Sequence, residues 1–328
     1  MEDFLIIRTS SLGDVIHTLP AFAALRKSFP GARIAWVIEE KSRPILDFVS
    51  GIDEVIVVGS RRWRKKIRRR HQTALDFQGL LKSGLIAWLS GSRHRFGFDR
   101  RNLKEPAAAF FYTRRLEPVT EEDHVIRKNL KLLELVGIKA DKFDFPLTIP
   151  EEARREVLAK IDQGCWNADR KLILFNVGAA WPTKRWSAES WIAVLNELKN
   201  ESLASLLLWG TPEEEAIAEF VSQETGVPMA PFLTVKEILA LVQGAALLVS
   251  GDTFALQAAC ALGVRVIGIF GPTDPRRNGP FRSADKIVYH PMSCSLCYRR
   301  DCESTECLDR AKPDEVLALI KSCVRENA

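Results

Sequence analysis

The chain has 328 residues, of which 46% are hydrophobic and 27% charged, a composition typical of a globular protein with two domains. These values exclude a disordered chain, a collagen-like repeat and a small disulfide scaffold. The net charge of +5 is too small to indicate nucleic-acid binding. The longest apolar run, residues 238–251, is shorter than the ~18 residues of a membrane span, and the N-terminus lacks a basic secretion signal, so we expect a cytoplasmic protein.

Alternating strands and helices are predicted throughout the first half of the chain. Phe22, Leu25 and Phe29 recur at spacings of three and four residues, which indicates the apolar face of a helix after the first strand. The predicted strands of this half are residues 4–7, 33–38, 54–58, 73–77 and 95–97, and its later helices are 80–89 and 124–136. Segment 141–150 contains two prolines and is predicted to be a linker.

The same alternation restarts in the second half. Its predicted strands are residues 171–176, 204–209, 246–250 and 264–270, and its predicted helices are 188–199, 212–222, 235–243 and 253–262. Repeated strand–helix order requires parallel strands covered by helices on both faces. We therefore predict an α/β protein of two doubly wound domains, residues 1–150 and 151–328, with ligands in a cleft at the carboxyl ends of the strands. A last helix, residues 313–324, could pack on either domain.

A loop rich in hydroxyl side chains follows the first strand. Ser10, Ser11 and Gly13 suit a tight loop that approaches phosphate groups at the start of the next helix. Asp14 projects from this loop, and a carboxylate that reaches a hydroxyl can remove its proton as a general base. Asp14 is equally well explained as a cap of the helix, a common use of aspartate.

Two further candidate segments follow strands of the second half. Lys184 lies in WPTKRW, where its charge could neutralise a departing diphosphate; the alternative is a solvated lysine between packed tryptophans. Asp252 and Thr253 lie where a strand ends and a helix begins, so free N–H groups are available; the alternative is an ordinary helix cap. The sequence has no dinucleotide fingerprint, P-loop or Asp-x-Asp metal site, which disfavours dehydrogenases and kinases.

A strongly basic segment lies early in the chain, because eight of the ten residues in 61–70 are Lys or Arg. Such a patch concentrates anions whatever the net charge. Four of these residues follow a strand end and are candidates for binding an anionic substrate: Arg61, Arg62, Arg64 and Lys65. For residues 66–70 a solvated helix face is an equally good explanation.

Four of the seven cysteines crowd into one short stretch: Cys294, Cys297, Cys302 and Cys307. Four thiolates could form a closed tetrahedral zinc site, but one CxxC pair with longer spacings is a weaker signature than two such pairs. In a cytoplasmic protein we favour free, reduced thiols, and no metal site.

Several motifs occur in an order that covers nearly the whole chain: TSSLGDVIHTLPA, DFQGLLKS, KEPAAAFFYTRR, WPTKRW, GDT and FGPTDP. Together they resemble the bacterial heptosyltransferases of glycosyltransferase family nine, and the opening motif, RRWR and KEPAAAFFYTR are most similar to the heptosyltransferase I branch. The resemblance implies a GT-B fold of two Rossmann-like domains facing a central cleft. It also implies inverting, metal-independent transfer of heptose from ADP-heptose to a Kdo sugar on lipid A, at the inner-membrane surface, with no cofactor and no nucleic-acid partner.

The resemblance also assigns roles to individual residues. It implies that Asp14 is the catalytic base and that Lys184 assists catalysis by binding the donor phosphates. The residues implied to bind the donor are Ser10, Ser11, Gly13, Ala179, Ala180, Lys184, Glu213, Leu233, Asp252, Thr253, Phe254 and Gln257. Those implied to bind the acceptor are Arg61, Arg62, Arg64, Lys65 and Arg114. The first domain would hold the acceptor and the second the nucleotide sugar.

This sequence departs from the family pattern at the implied donor site. Phe254 replaces the usual glycine and Gln257 replaces a histidine. Ala179 and Ala180 stand where close relatives have hydroxyl side chains. These changes leave open another donor or acceptor, including that of heptosyltransferase II. A non-enzymatic alternative is a polyanion-binding protein that uses residues 61–70 and consumes no nucleotide sugar.

Overall fold

Short runs of aliphatic side chains form the central strands, and most of these side chains are buried, as parallel sheets covered on both faces require. The computed structural model describes residues 2–120, 123–161, 170–199, 201 and 203–325. The chain divides into two units, Met1–Thr148 and Ile149–Ala328, each with a parallel sheet of its own. The α/β class predicted from the alternating pattern is confirmed.

The first unit contains a six-stranded sheet. Its strands are β1 (Asp3–Ile7), β2 (Arg33–Ile38), β3 (Glu54–Val57), β4 (Thr73–Asp76), β5 (His94–Gly97) and β6 (Arg114–Arg115). Its α-helices are α1 (Leu12–Ser28), α2 (Trp63–Ile67), α3 (Leu81–Leu89) and α4 (Val125–Leu132). Its 3-10 helices are Glu40–Phe48, Arg100–Asn102, Pro106–Phe111 and Leu133–Val136.

The strand order of this sheet is β3-β2-β1-β4-β5-β6, and all neighbouring pairs are parallel. It is the strand order of a Rossmann fold. The order reverses between β1 and β4, and open α/β sheets bind ligands outside the carboxyl ends of the strands at such a reversal. The loops after β1 and β4 are therefore the expected place for a ligand in this unit.

The second unit contains a five-stranded sheet. Its strands are β7 (Lys171–Asn176), β8 (Leu203–Leu208), β9 (Leu247–Gly251), β10 (Arg265–Phe270) and β11 (Lys286–Tyr289). Its α-helices are α5 (Glu151–Lys160), α6 (Ala188–Leu198), α7 (Pro212–Thr225), α8 (Val235–Gln243), α9 (Phe254–Ala261), α10 (Pro275–Asn278), α11 (Glu306–Asp309) and α12 (Pro313–Arg325). One 3-10 helix spans Pro182–Lys184.

The strand order of the second sheet is β11-β10-β9-β7-β8, again with parallel neighbours. Counted from β7, this is the order 2-1-3-4-5 of flavodoxin-like folds, the other common doubly wound arrangement. The order reverses between β7 and β9. The loops after these two strands are thus the expected ligand position in this unit.

The last helix, α12, packs within the second unit. Val316, Ile320 and Cys323 are buried in the same apolar core as residues of α6 and β10. The Cys323 carbonyl accepts a hydrogen bond from Arg265 Nη1 at 2.9 Å. Of the two placements that the sequence leaves open for this helix, these contacts are those of packing on the second domain.

Candidate functional site

Asp14 lies in the first turn of α1, directly after the loop that follows β1. Its Oδ2 accepts hydrogen bonds from the Ser11 N–H at 3.1 Å and the Ser11 hydroxyl at 2.9 Å. Its Oδ1 lies 4.0 Å from Nη2 of the buried Arg8, and the Asp14 side chain stays 39% exposed. The hydrogen bonds to Ser11 show that Asp14 does cap α1. Because they use one oxygen of a partly exposed carboxylate, capping leaves the other oxygen available to act as a base.

The surroundings of Asp14 keep it ionised. Burial of the carboxyl by nearby protein raises its pKa, but the charges of Arg8 and His17 and the two hydrogen bonds from Ser11 lower it by more. The net pKa lies below the usual aspartate range. A deprotonated carboxylate is the form that a general base requires.

Gln78 holds the backbone of the Asp14 loop, a contact that the sequence analysis missed. Its Oε1 accepts hydrogen bonds from the N–H groups of Thr9 at 2.9 Å and Ser10 at 3.3 Å. Gln78 follows β4, the sheet neighbour of β1, so the contact joins the two loops at the reversal of strand order. The motif DFQGLLKS, which contains Gln78, could have drawn attention to this residue. A single glutamine, however, gives no sequence pattern from which its hydrogen-bond partner could be predicted.

Asp76 fixes the loop on which Gln78 lies. Its Oδ1 accepts from the N–H groups of Gln78 at 2.9 Å and Gly79 at 3.1 Å, and its Oδ2 accepts from the Tyr112 hydroxyl at 2.7 Å. Complete burial raises the pKa of Asp76 despite these hydrogen bonds. A fully buried carboxyl cannot reach a substrate, so Asp76 stabilises the loop and Asp14 is the accessible acid.

Lys184 lies at the end of the 3-10 helix that follows β7. Its Nζ is 2.9 Å from both Oδ2 and the carbonyl oxygen of Asp252, and 4.4 Å from the centre of the Trp181 ring. Both partners of this ion pair are largely buried, because the side chains of Lys184 and Asp252 are 14% and 10% exposed. The alternative of a solvated lysine is therefore wrong. The interaction of Lys184 with a donor phosphate stays a prediction.

Asn176 links the end of β7 to the end of β9. Its Nδ2 donates to the Ser250 hydroxyl at 3.0 Å and to Thr253 Oγ1 at 3.1 Å. Thr253 is the N-cap of α9 and accepts from the Leu256 N–H at 3.4 Å. Lys184, Asp252 and Thr253 thus lie together where the strand order reverses, next to the positive end of a helix dipole.

The glutamates at the start of α7 differ in orientation. Glu213, the residue implied to bind the donor, is exposed, and hydrogen bonds from its own backbone N–H and the Thr211 hydroxyl lower its pKa. Glu214 is buried and accepts from the Gly210 N–H at 2.8 Å. A Cβ at Gly178 would overlap the Glu214 carboxyl, so a larger residue there would displace this side chain. Glu214 therefore faces the loop after β7. The sequence, with three consecutive glutamates, does not show which of them has this orientation.

The remaining residues implied to bind the donor differ in how deeply they are buried. Ala179, Leu233 and Gln257 are buried, Phe254 is partly buried in the first turn of α9, and Ala180 is exposed. The Ala179 carbonyl accepts from Arg185 Nε at 2.8 Å. Gln257 Nε2 donates to the Asn278 carbonyl at 2.7 Å, so part of this amide is engaged in joining α9 to α10. Ser10, Ser11 and Gly13 belong to the first unit, in the Asp14 loop.

The implied acceptor residues lie at different strands of the first sheet. Arg61, Arg62, Arg64 and Lys65 are exposed in and beside α2, which follows the edge strand β3. Arg114 is exposed on β6, the opposite edge strand. Five strand spacings separate β3 from β6, about 24 Å. Lys66, for which a solvated face was an alternative, forms a 3.6 Å ion pair with Glu54.

The four clustered cysteines line one pocket, which Thr183 also borders. All four thiols are free, and burial together with the proximity of Cys294 and Cys297 raises the pKa of Cys307. Over the described ranges, no three or more His, Cys, Asp or Glu side chains are arranged to hold a metal ion. Cys165 lies outside the described residues. That these free thiols hold no metal stays a prediction.

Each unit thus has a set of polar groups at the point where its strand order reverses, and the two sets differ in their chemistry. The first has an ionised carboxylate on a loop fixed by backbone hydrogen bonds, which suits removal of a proton. The second has a lysine, a helix N-terminus and hydroxyl groups, which suit binding of a diphosphate. No helix within the described part of the chain is long and apolar enough to cross a membrane.

Comparison with known sequences gives matches over most of the chain. A family model described as glycosyltransferase family 9 (heptosyltransferase) matches residues 60–308. Lipopolysaccharide heptosyltransferase 1 of Pseudomonas aeruginosa is 30% identical over 321 residues, which cover 91% of this chain and 86% of the relative. The protein of the same name from Salmonella typhimurium is 30% identical over 290 residues, 83% of this chain and 89% of the relative.

Solved structures match the whole fold. E. coli heptosyltransferase WaaC with ADP-2-deoxy-2-fluoro heptose has a TM-score of 0.74 and 22% identity, covering 99% of this chain and 100% of that one. A glycosyl transferase family 9 protein from Veillonella parvula has a TM-score of 0.83 and 21% identity, covering 99% and 97%. At these identities the likeness concerns the fold, and it confirms the GT-B architecture expected from the motifs.

Proposed function

The chain belongs to glycosyltransferase family 9, and from that membership we propose that it transfers heptose from ADP-heptose to a Kdo sugar on lipid A. This is the reaction of heptosyltransferase I. The observation that carries the proposal is the 30% identity to a lipopolysaccharide heptosyltransferase 1 along 91% of the chain. The two groups at the reversals of strand order supply the chemistry that the reaction needs.

Asp14 is proposed to activate the acceptor. Its carboxylate takes the proton of the Kdo hydroxyl while that oxygen attacks the anomeric carbon of heptose. The bond between the anomeric carbon and the diphosphate oxygen breaks, and ADP leaves with the bonding electrons. Attack opposite the leaving group inverts the anomeric configuration. The low pKa of Asp14 supports this role because the carboxylate is ready to accept a proton at neutral pH.

Lys184 and the start of α9 are proposed to bind the diphosphate. Negative charge develops on the leaving ADP, and a fixed ammonium and backbone N–H groups stabilise it. Lys184 is paired with Asp252 in this structure, so the carboxylate of Asp252 holds the ammonium at the end of β9. Phe254 stands at the first position of the same helix and places an aromatic ring where the family usually has glycine.

The basic residues of the first unit are proposed to bind the acceptor. The lipid A acceptor carries phosphates and its sugar carries a carboxylate, and Arg binds both in a bidentate manner. Arg61, Arg62, Arg64 and Lys65 present exposed charges for this purpose. Because the acceptor is a membrane lipid, we also propose that the enzyme works in the cytoplasm, peripherally associated with the inner membrane.

An acceptor panel tests the proposal against heptosyltransferase II. Labelled ADP-heptose is incubated with the protein and either Kdo-lipid A or an acceptor that already carries the first heptose. Transfer to Kdo-lipid A alone is expected. Transfer only to the heptosylated acceptor would assign the second activity instead. Retention of nucleic acid without consumption of any nucleotide sugar would favour a polyanion-binding protein.

A further inference from the structure

One helix of the first unit exposes an apolar stripe. Leu81, Leu85 and Trp88 of α3 follow one another at spacings of four and three residues, so they lie along one side of the helix. These side chains are 45%, 42% and 55% exposed. The opposite side of α3 buries Ile86 and Ala87 against the sheet. Helix α3 therefore has two apolar faces. One packs against the sheet, and the other, the stripe, is exposed.

A neighbouring element extends the stripe. The 3-10 helix Pro106–Phe111 packs against α3 at Gly84, where an added Cβ would lie 3.2 Å from the Ala108 carbonyl oxygen. Phe110 projects from this 3-10 helix and is 77% exposed. We call Leu81, Leu85, Trp88 and Phe110 the α3 face. Contiguous exposed apolar groups of this kind mark interaction surfaces in globular proteins.

Basic side chains border the α3 face. Ile67 of α2 shares the buried cluster of Ile86 and Ala87, on the sheet side of α3, and the basic segment 61–70 meets α3 where this helix ends. At the end of α3, the Arg69 N–H donates to the Ser90 carbonyl at 2.6 Å. On the other side, the Arg100 guanidinium lies 5.7 Å from the centre of the Phe110 ring.

The segments that carry the α3 face and its basic neighbours have a large excess of positive charge. Segments 61–70 and 79–115 contain sixteen Lys and Arg residues and two acids, in a chain whose net charge is +5. Both acids are engaged within the unit. Asp99 accepts from Arg101 Nε at 2.9 Å, and Glu105 accepts from the Leu81 N–H at 2.7 Å. Two of the cations are paired with acids of other segments, Lys66 with Glu54 at 3.6 Å and Lys82 with Glu39 at 2.7 Å. The surface thus combines exposed apolar groups with an excess of cations over acids.

We infer that the α3 face docks on the surface of an anionic lipid bilayer. Apolar side chains at such a surface enter the boundary between headgroups and acyl chains, and surrounding Lys and Arg are attracted to lipid phosphates. A second copy of the chain is a poorer occupant, because a twofold contact would bring like charges together. The inference rests on the proposed function, since a membrane-lipid acceptor requires the enzyme to reach a bilayer, and it names the surface that does so.

Vesicle binding tests the inference without any acceptor or donor. Wild-type protein is sedimented with vesicles of phosphatidylcholine, with and without phosphatidylglycerol, and compared with a Trp88→Ser/Phe110→Ser variant. The matched control is Phe220→Ser/Ile287→Ser, which removes two exposed apolar residues of the second unit. We expect phosphatidylglycerol to promote binding, the α3-face variant to lose at least ~10-fold in partitioning, and the control to bind as the wild type does.

Two outcomes would overturn the inference. One is wild-type partitioning by the α3-face variant. The other is a wild-type dimer in sedimentation equilibrium that the variant abolishes while vesicle binding is unchanged, which would make the face a self-association surface. Transfer to a deacylated, water-soluble Kdo acceptor is measured in parallel and is expected to be the same for the variant and wild type. If neither the wild type nor the variant transfers heptose, the proposed function is wrong. The docking surface is still supported in that case, provided that vesicle binding follows the prediction.

Discussion

Asp14 and Asp76 are two carboxyl groups at neighbouring strand ends with opposite electrostatic environments. Burial dominates at Asp76 and raises its pKa, whereas Arg8, His17 and Ser11 outweigh burial at Asp14 and lower its pKa. Exposure separates them further, because Asp76 is completely buried and Asp14 is not. At the scale of single residues, these differences support the proposed role of Asp14 in proton removal and make Asp76 a structural support for its loop.

Replacement of Asp14 by asparagine separates catalysis from capping. Asn keeps an oxygen that can accept from Ser11, so α1 should remain capped, but it cannot take a proton. We expect kcat to fall at least ~100-fold, the usual scale of general base catalysis. Turnover and thermal unfolding are measured together. Near-wild-type turnover would leave Asp14 as a helix cap only.

The positive charge of Arg8 should affect how the reaction rate depends on pH. Arg8 lowers the pKa of Asp14, so Arg8→Gln should raise it, and the carboxylate should become protonated at a higher pH. The acid limb of kcat/KM therefore moves to higher pH in Arg8→Gln and stays near its wild-type position in Arg8→Lys, which keeps the charge. An acid limb that is the same in all three proteins would contradict the proposed base.

At the scale of elements, the loops after β1 and β4 act as one piece because Gln78 accepts from two consecutive N–H groups of the β1 loop. Asp76 and Tyr112 in turn hold the β4 loop. The position of the Asp14 loop therefore depends on Gln78, Asp76 and Tyr112. Small misplacements of a catalytic group are costly, since an error of about 1 Å can reduce a rate ~100-fold.

Gln78 variants test this positioning. Gln78→Met removes the acceptor oxygen at similar size, and we expect kcat to fall about tenfold with little change in KM. Gln78→Glu keeps an acceptor oxygen and should restore turnover at neutral pH. Its added negative charge should also raise the pKa of Asp14 and move the acid limb upward. Equal losses of kcat in both variants, with an unchanged acid limb, would show that Gln78 has only a general structural role.

Hydrophobic patterning was sufficient to predict most elements, because buried parallel strands are continuous aliphatic runs. The bounds of strand 33–38 and strand 171–176 agree with β2 and β7. The pattern missed α5, where Val157 is the one residue fully buried among the ten described, and β6, whose two arginines are both exposed. Helix 124–136 also ends earlier than predicted, as α4 followed by a 3-10 helix.

The candidate site was predictable to the extent that it depends on local sequence. Strand–loop–helix junctions identified Asp14, Asp252 and Thr253, since their positions follow from where strands end. Pairing across the sheet was not predictable: nothing local joins Gln78 to Thr9 or Lys184 to Asp252. These contacts depend on which strands become neighbours, and that is a property of the sheet topology.

At the scale of the whole molecule, the two units are proposed to bind different substrates, and paired variants test that division. Lys184→Ala should weaken ADP binding about tenfold in calorimetry and leave the acceptor KM unchanged. Arg61→Ala/Arg64→Ala should raise the acceptor KM, more at low salt than at high salt, and leave ADP binding unchanged. The exposed Lys199 on the same unit as Lys184 provides a control, Lys199→Ala, that should alter neither. If both variants changed both quantities alike, the division of substrates between units would be wrong.

Mass analysis of the lipid product tests directly whether the protein transfers heptose to Kdo-lipid A. Purified protein is incubated with ADP-heptose and Kdo-lipid A, and the acceptor is examined by mass spectrometry beside a reaction with the Asp14→Asn variant. We expect the wild type to add one heptosyl unit to Kdo-lipid A and to release ADP, while the variant leaves the acceptor almost unmodified. An acceptor of unchanged mass after incubation with folded wild-type protein would contradict this expectation.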